Sequence, residues 1–253
     1  LMMYQYMAYF SDPITTACAI LMRYRANMVH VARIDKLSDD AKIPKETKKY
    51  MTNTENLFFT EKYDFYKGKE KTDFLFHIDK LKIKKGGLYV IKGENGSGKS
   101  MFLNLLFGNV KLSFSRGGFI LTDEMDEAAF LTYPIFTVDG DFMKNMYEIP
   151  IDKELMHLLQ VDFSDKEILS NPVNLSYGQQ QKLALLRVFG LNSPILFLDE
   201  PLSNLDKKTQ ENVVAYIRKL KGEKTILVVM HSDELDEAAD SVIYIENKKL
   251  IQK

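Results

Sequence analysis

Gly93-Glu-Asn-Gly-Ser-Gly-Lys-Ser100 has the residue types and spacing of a phosphate cradle, G-x-x-x-x-G-K-S. Gly93, Asn95, Gly96, Ser97 and Gly98 would line it, because small residues let backbone N–H groups converge on phosphate oxygens. Lys99 can reach the β- and γ-phosphates, and the Ser100 hydroxyl can ligate Mg²⁺. Further on, Pro194-Ile-Leu-Phe-Leu-Asp-Glu-Pro201 is an apolar run that closes on two acids. Asp199 is placed to hold Mg²⁺ through water, and Glu200 to polarise an attacking water. A third apolar run, Thr225-Ile-Leu-Val-Val-Met230, ends at His231, which could contact a γ-phosphate. Lys99, Glu200 and His231 are therefore the candidate catalytic residues. His30, His77 and His157 have no comparable context.

These groups need elements to hold them. Leu88-Tyr-Val-Ile91 reads as a strand entering the glycine loop, and Met101-Phe-Leu-Asn-Leu-Leu-Phe107 as a helix leaving it, ended by Gly108. The helix N-terminus adds its dipole to the cradle. The Asp199 run, apolar throughout, predicts a parallel strand buried on both faces, and ligands bind beyond the carboxyl ends of such strands. Ser241 to Glu246 is the last strand-like segment. Ser232-Asp-Glu-Leu-Asp-Glu-Ala-Ala239 reads as a helix capped by Ser232. The class is α/β, a P-loop NTPase with a mostly parallel sheet.

The 253 residues suffice for one large domain or two small ones. A net charge of -1 argues against bulk binding of nucleic acid. With 45% hydrophobic and 27% charged residues, the chain is a folding one rather than a disordered one. Its single cysteine, Cys18, rules out an intrachain disulfide and a cysteine-based zinc site. The first residue is Leu1, which reads as a piece of a longer chain. Leu1 to Met22 carries one charge, Asp12, and from Arg23 to Tyr50 there are eight cations against four acids. An apolar stretch followed by cations predicts a helix leaving a bilayer on the cytoplasmic side, with Asp12-Pro13 the feature against it. An amphipathic helix packed on a soluble domain is the alternative. Residues 36–56, polar and lysine-rich with Pro44, read as a linker.

Leu175-Ser-Tyr-Gly-Gln179 lies between the P-loop and the Asp199 strand, and resembles the L-S-G-G-Q signature of ABC transporters. The order of motifs is also that family's: P-loop, signature, Asp-Glu strand, Ser203-Asn-Leu-Asp206 like its D-loop, then the switch histidine His231. The likeness runs from about Leu57 to Lys253. It implies an ATP-binding domain over 57–253 with a helical subdomain at about 136–175, dependent on Mg²⁺ and working as a head-to-tail dimer with itself or a paralogue. Residue by residue, Tyr66 would stack on adenine and Met101 would stand where the P-loop usually has threonine. Ser176, Gly178 and Gln179 would cap the γ-phosphate held by the other subunit, and Asp206 would cross the dimer interface. Tyr9-Phe-Ser-Asp-Pro-Ile14 and Arg33-Ile-Asp-Lys-Leu37 look like the end of an exporter's last transmembrane helix and its cytoplasmic extension, over 1–35. The resemblance thus implies ATP-driven export at the cytoplasmic face of the membrane, with a transmembrane domain upstream in the same polypeptide.

The chain departs from the family's pattern at several points. Tyr133 stands where the family has the Q-loop glutamine, and a phenol cannot offer an amide oxygen to a metal. Tyr177 replaces the first signature glycine, where a positive φ would strain a tyrosine. The stretch from Lys99 to Ser176 is short, so the helical subdomain is expected to be trimmed. Pro201 after Glu200 is more usual in importers. The rival readings are an importer-type ATPase that docks on separate membrane proteins, a non-transport ABC ATPase, and a binding-only regulatory module.

Overall fold

Three runs, Leu88–Ile91, Ile195–Leu198 and Ile226–Val229, are apolar apart from the Tyr89 hydroxyl, which accepts from Lys84 N at 2.7 Å, and they lie side by side in one sheet. Their alternation explains why. Leu88, Val90, Leu196, Leu198, Ile226 and Val228 enter one hydrophobic cluster, while Tyr89, Ile91, Ile195, Phe197, Leu227 and Val229 enter another on the opposite face. A strand covered on both faces has no position left for a solvated side chain.

The computed structural model describes residues 49–50, 55–67, 73–107, 112–114, 119–121, 127–131, 133–147 and 149–253. In chain order these give β1 (Lys49–Tyr50), β2 (Asn56–Lys67), β3 (Asp73–Lys84), β4 (Leu88–Lys92), α1 (Lys99–Phe107), β5 (Leu112–Phe114) and β6 (Phe119–Leu121). They continue with β7 (Ala129–Leu131), α2 (Phe142–Asn145), α3 (Lys153–Leu158), α4 (Tyr177–Gly190), β8 (Ile195–Asp199), α5 (Lys207–Leu220) and β9 (Thr225–Val229). A 3₁₀ turn at Asp236–Ala238, then β10 (Ser241–Glu246) and β11 (Lys249–Gln252), complete the order. The sheet runs β1-β6-β2-β3-β11-β10-β4-β9-β8-β7, with β5 on β2. From β7 to β10 every pairing is parallel, as expected; β10–β11, β2–β3, β2–β5 and β2–β6 are antiparallel, so the sheet as a whole is mixed. The predicted helix over 1–35 and most of the 36–56 linker lie outside the described residues. Within that linker, Lys49–Tyr50 pairs in parallel with β6. Among the described residues, no helix is long and apolar enough to cross a membrane.

The two faces are covered by different elements. α1 places Phe102, Leu103, Leu105 and Leu106 on one face, together with Phe65, Phe76, Ile78 and Leu81 of the β2–β3 hairpin. α4 and α5 cover the other with Leu183, Leu185, Leu186, Val213 and Ile217. Each of these two helices starts at a side-chain cap: Ser176 with a Gln179 capping box, and Asp206 on Thr209.

Two segments read from the sequence take an irregular form here. The segment 136–175 carries helices of only four and six residues, α2 and α3, among turns. Gly140, Pro150 and Pro172 interrupt helical runs, and buried Asn145 spends its amide on Val138 and Asp141 backbone instead. Arg187 of α4 anchors the segment by donating to Asn145 O and Phe136 O, 2.7 Å each. Nor does Ser232 open a helix. The 3₁₀ turn at Asp236 has no side-chain cap, and both Asp233 and Asp236 are drawn to Lys92.

One ion pair on the hairpin is pH-sensitive. His77 Nδ1 lies 2.6 Å from Asp64 Oδ1 across β2–β3, and its Nε2 lies 3.0 Å from Asp79 Oδ1. These two carboxylates, Asp64 first, hold the imidazole's pKa above its ordinary 6.5. Below 6.5 both folded and unfolded chains carry the proton, and the pairing stabilises fully. As pH rises the unfolded chain loses it first, so this contribution falls away through the raised folded value. Melting temperature measured from pH 6 upward should fall more steeply for the wild type than for His77→Gln.

Candidate active site

β4 and β8 both pair with β9 in parallel, so Lys92, Asp199 and Met230 end on one edge of the sheet. The glycine loop leaves β4 there. Gly93, Gly96 and Gly98 have φ of +156°, +80° and +101°. Gly98 is needed twice over, since a Cβ on it would stand 2.7 Å from the Phe76 ring. Lys99, only 6% exposed, folds back and donates to Gly93 O and Glu94 O at 2.9 Å each. Beside the loop is a cleft of about 780 Å³, lined by Phe74, Gly93 to Gly98, Met101, Tyr244 and Lys248 among others. That size suits a nucleotide.

Asp199 is buried at the end of β8, with Ser100 beside its carboxylate. Burial raises the pKa of Asp199, opposed by the nearby Ser100 hydroxyl. Its Oδ1 has no partner among the described residues. A hydroxyl and a carboxylate with a spare buried oxygen fit Mg²⁺, a hard cation that takes oxygen ligands. Among the described residues no group of three or more His, Cys, Asp or Glu could hold a metal alone. Phosphate and water would have to complete the set.

Glu200 follows with φ +47°, left-handed and costly for a non-glycine residue. Its Oε1 is 3.1 Å from His231 Nε2, and its Oε2 accepts from Ser203 Oγ at 3.2 Å. A carboxylate only accepts, so Nε2 is the protonated ring nitrogen. The segment after His231 is tied to the base of the P-loop by Lys92, whose ammonium bonds Asp233 and Asp236.

The structure therefore brings Lys99, Ser100, Asp199, Glu200 and His231 to one edge. It puts others elsewhere. Tyr66 packs edge-on against Phe74 at 5.5 Å between ring centroids, and Phe74, unlike Tyr66, lines the cleft. Ser176, Gly178 and Gln179 do not line the cleft of their own chain. Ser176 and Gln179 cap α4, and Gln179 also reaches Asp162. Asp206 accepts from Thr209 N and Thr209 Oγ1 at 2.9 and 2.7 Å, which holds its carboxyl below the usual range. Tyr177 begins α4, is not among the positive-φ residues, and is 77% exposed. The strain expected there is absent.

Sequence reasoning missed Phe74, Lys92, Ser203 and Gln181. Gln181 is fully buried, yet it sits in a Gln-Gln-Gln-Lys run that looks like a solvated helix face. Its amide receives Tyr133 Oη–H and donates to Pro201 O at 3.0 Å.

A family model described as ABC transporter matches residues 76–203. A probable ABC transporter ATP-binding/permease protein from Haemophilus influenzae is 31% identical over 196 residues, covering 67% of this chain and 35% of that protein. An ATP-dependent lipid A-core flippase from Neisseria meningitidis serogroup B is 31% identical over 198 residues, 68% of this chain and 31% of its own length. A probable sulfate/thiosulfate import ATP-binding protein, CysA, from Chlorella vulgaris is 29% identical over 201 residues, 68% of this chain and 81% of its own length. The chain thus spans well under half of the first two relatives.

Gly178 makes a local prediction. A Cβ there would lie 2.7 Å from Asn204 O, pressing α4 against the turn before α5. Gly178→Ala should destabilise by about 1–3 kcal/mol through overpacking, read as a lowered denaturant midpoint.

Proposed function

The chain belongs to the ABC transporter family, as one of its ATP-binding domains, and on that footing we propose that it binds Mg²⁺–ATP at Gly93–Ser100 and hydrolyses it to drive transport across a membrane. The observation that carries the reading is the meeting of Ser100 with Asp199, next to Glu200 paired with His231. A phosphate cradle alone would only bind. A carboxylate held by a histidine just beyond a metal-type carboxylate gives that cradle a base.

In this mechanism Lys99 exchanges the loop carbonyls of Gly93 and Glu94 for phosphate oxygens. Ser100 and Asp199 would hold Mg²⁺, which when bound neutralises charge on the β- and γ-phosphates. Glu200 accepts the proton of the attacking water, and His231 Nε2–H fixes the angle of its carboxylate. Phe74 offers the adenine a ring face in the cleft, backed by Tyr66. Because Ser176, Gly178 and Gln179 stand away from their own cleft, a second subunit packed head to tail would bring them to the γ-phosphate. Closing that clamp excludes water and strengthens the charge contacts.

We take the transport to be export, with the membrane domain joined to this one. Support comes from the relatives named as ATP-binding/permease protein and flippase, and from the apolar run Leu1 to Met22 with cations after it. A second reading, an import ATPase subunit that docks on separate membrane proteins, is favoured by the import relative matched over 81% of its length and by Pro201. Under the first reading the chain needs detergent to leave the membrane fraction. Under the second it stays in the aqueous phase.

Glu200→Gln should bind Mg²⁺–ATP as the wild type does, while phosphate release falls by at least about a hundredfold. Undiminished release would remove Glu200 from the chemistry.

A further inference from the structure

We propose that Tyr133, which stands in the family's glutamine position, is a positioning residue that holds the Glu200 turn in place through Gln181. The inference rests on Glu200 acting as the base and deepens that reading.

β7 pairs with β8 in register, Leu131 opposite Leu198, so the chain emerging from β7 reaches Tyr133 beside the Asp199–Glu200 end of β8. The Tyr133 hydroxyl donates to Gln181 Oε1. With its oxygen engaged, the Gln181 amide has one orientation left for its nitrogen. That nitrogen donates to Pro201 O at 3.0 Å and to Glu200 O at 3.4 Å. Flipping the amide would set its oxygen against two carbonyl oxygens in a site with no solvent, since Gln181 is 0% exposed. The phenol and the two carbonyls therefore agree on which way a buried amide faces, and that amide grips the backbone at Glu200.

That grip matters because of the backbone it holds. Glu200 has φ +47°, and a left-handed residue persists only where its surroundings over-determine it. Its N–H donates to Val229 O at 3.1 Å, and its carbonyl accepts from Ser203 N at 3.1 Å as well as from Gln181. The side chain is held from within the turn, where Ser203 Oγ donates to Glu200 Oε2 at 3.2 Å. Burial, then the charges of Glu200 and Asp199, raise the Tyr133 pKa, which keeps the phenol a donor.

The test uses the full chain. Tyr133→Phe removes only the hydroxyl, from a ring that is 42% exposed. Mg²⁺–ATP affinity should stay within about twofold, while kcat falls about tenfold, the scale on which small misplacements act. Gln181→Met should lower kcat to a similar level, and the double variant should fall no further, because both act along one path. Unchanged kcat in Tyr133→Phe, a loss traced wholly to weaker ATP binding, or multiplicative losses in the double variant would each overturn the proposal. Glu200→Gln is run alongside. A wild type without turnover, or one indifferent to Glu200→Gln, would overturn the base assignment and this inference with it. Turnover that needs Glu200 but ignores Tyr133→Phe overturns this inference alone.

Discussion

The approach of Ser100 to the Asp199 carboxylate sets the first turn of α1 against the end of β8, and the parallel register of three strands is what allows it. β9 lies between β4 and β8. Were either neighbour shifted by one residue, its inward and outward side chains would exchange faces and both hydrophobic clusters would lose their members. The clusters thus fix the register, and the register fixes where the strands stop. At that edge the apolar runs end, and the polar groups that follow are forced into one another's company. Asp199, buried with one oxygen unpaired, and Glu200, in a left-handed turn, are the local costs of that convergence.

Much of this is legible in the residues. Short, mostly apolar runs of four or five residues flanked by Gly, Pro and turn residues read as strands covered on both sides, so β4, β8 and β9 are legible, and with them the edge where Lys99, Asp199 and His231 gather. The glycine loop is legible for a similar reason: only glycine tolerates φ of +80° and +101° without strain. Departures arose where a side chain's partner lies far away in sequence. Ser232 to Ala239 has a helix-like pattern, but Lys92, some 140 residues earlier, takes two of its acids. Tyr66 and Phe74 are equally aromatic cross-strand partners, and nothing local to either says that Phe74 would be the one at the cleft. Gln181 hides in a polar run because nothing local says which of four polar neighbours points inward.

The residues that depart from the family's pattern find physical accommodation. Tyr177 escapes the strain expected of a glycine site because it sits inside the first helical turn of α4, with Ser176 taking the cap. Gly178 keeps its glycine because the carbonyl of Asn204 leaves no room for a methyl group. The segment 136–175 has little helix, yet it is not loose. Phe142, Met146, Leu155, Leu159, Phe163 and Ile168 are all buried, and Arg187 ties its backbone to α4. Turns and buried apolar side chains do there what longer helices would otherwise do.

The division of the core has a mechanical meaning. α1, which starts at the glycine loop, and α4, which carries Gln181, rest on opposite faces of the sheet. A close-packed partition of this kind is stiff and transmits strain rather than absorbing it. Tilting of α4 would reach the loop side by way of the strand tips, where Gln181 and Ser203 meet the turn at Glu200. The rim of the partition is thus a narrow crossing point, and the few hydrogen bonds on it set how firmly the two sides are geared together.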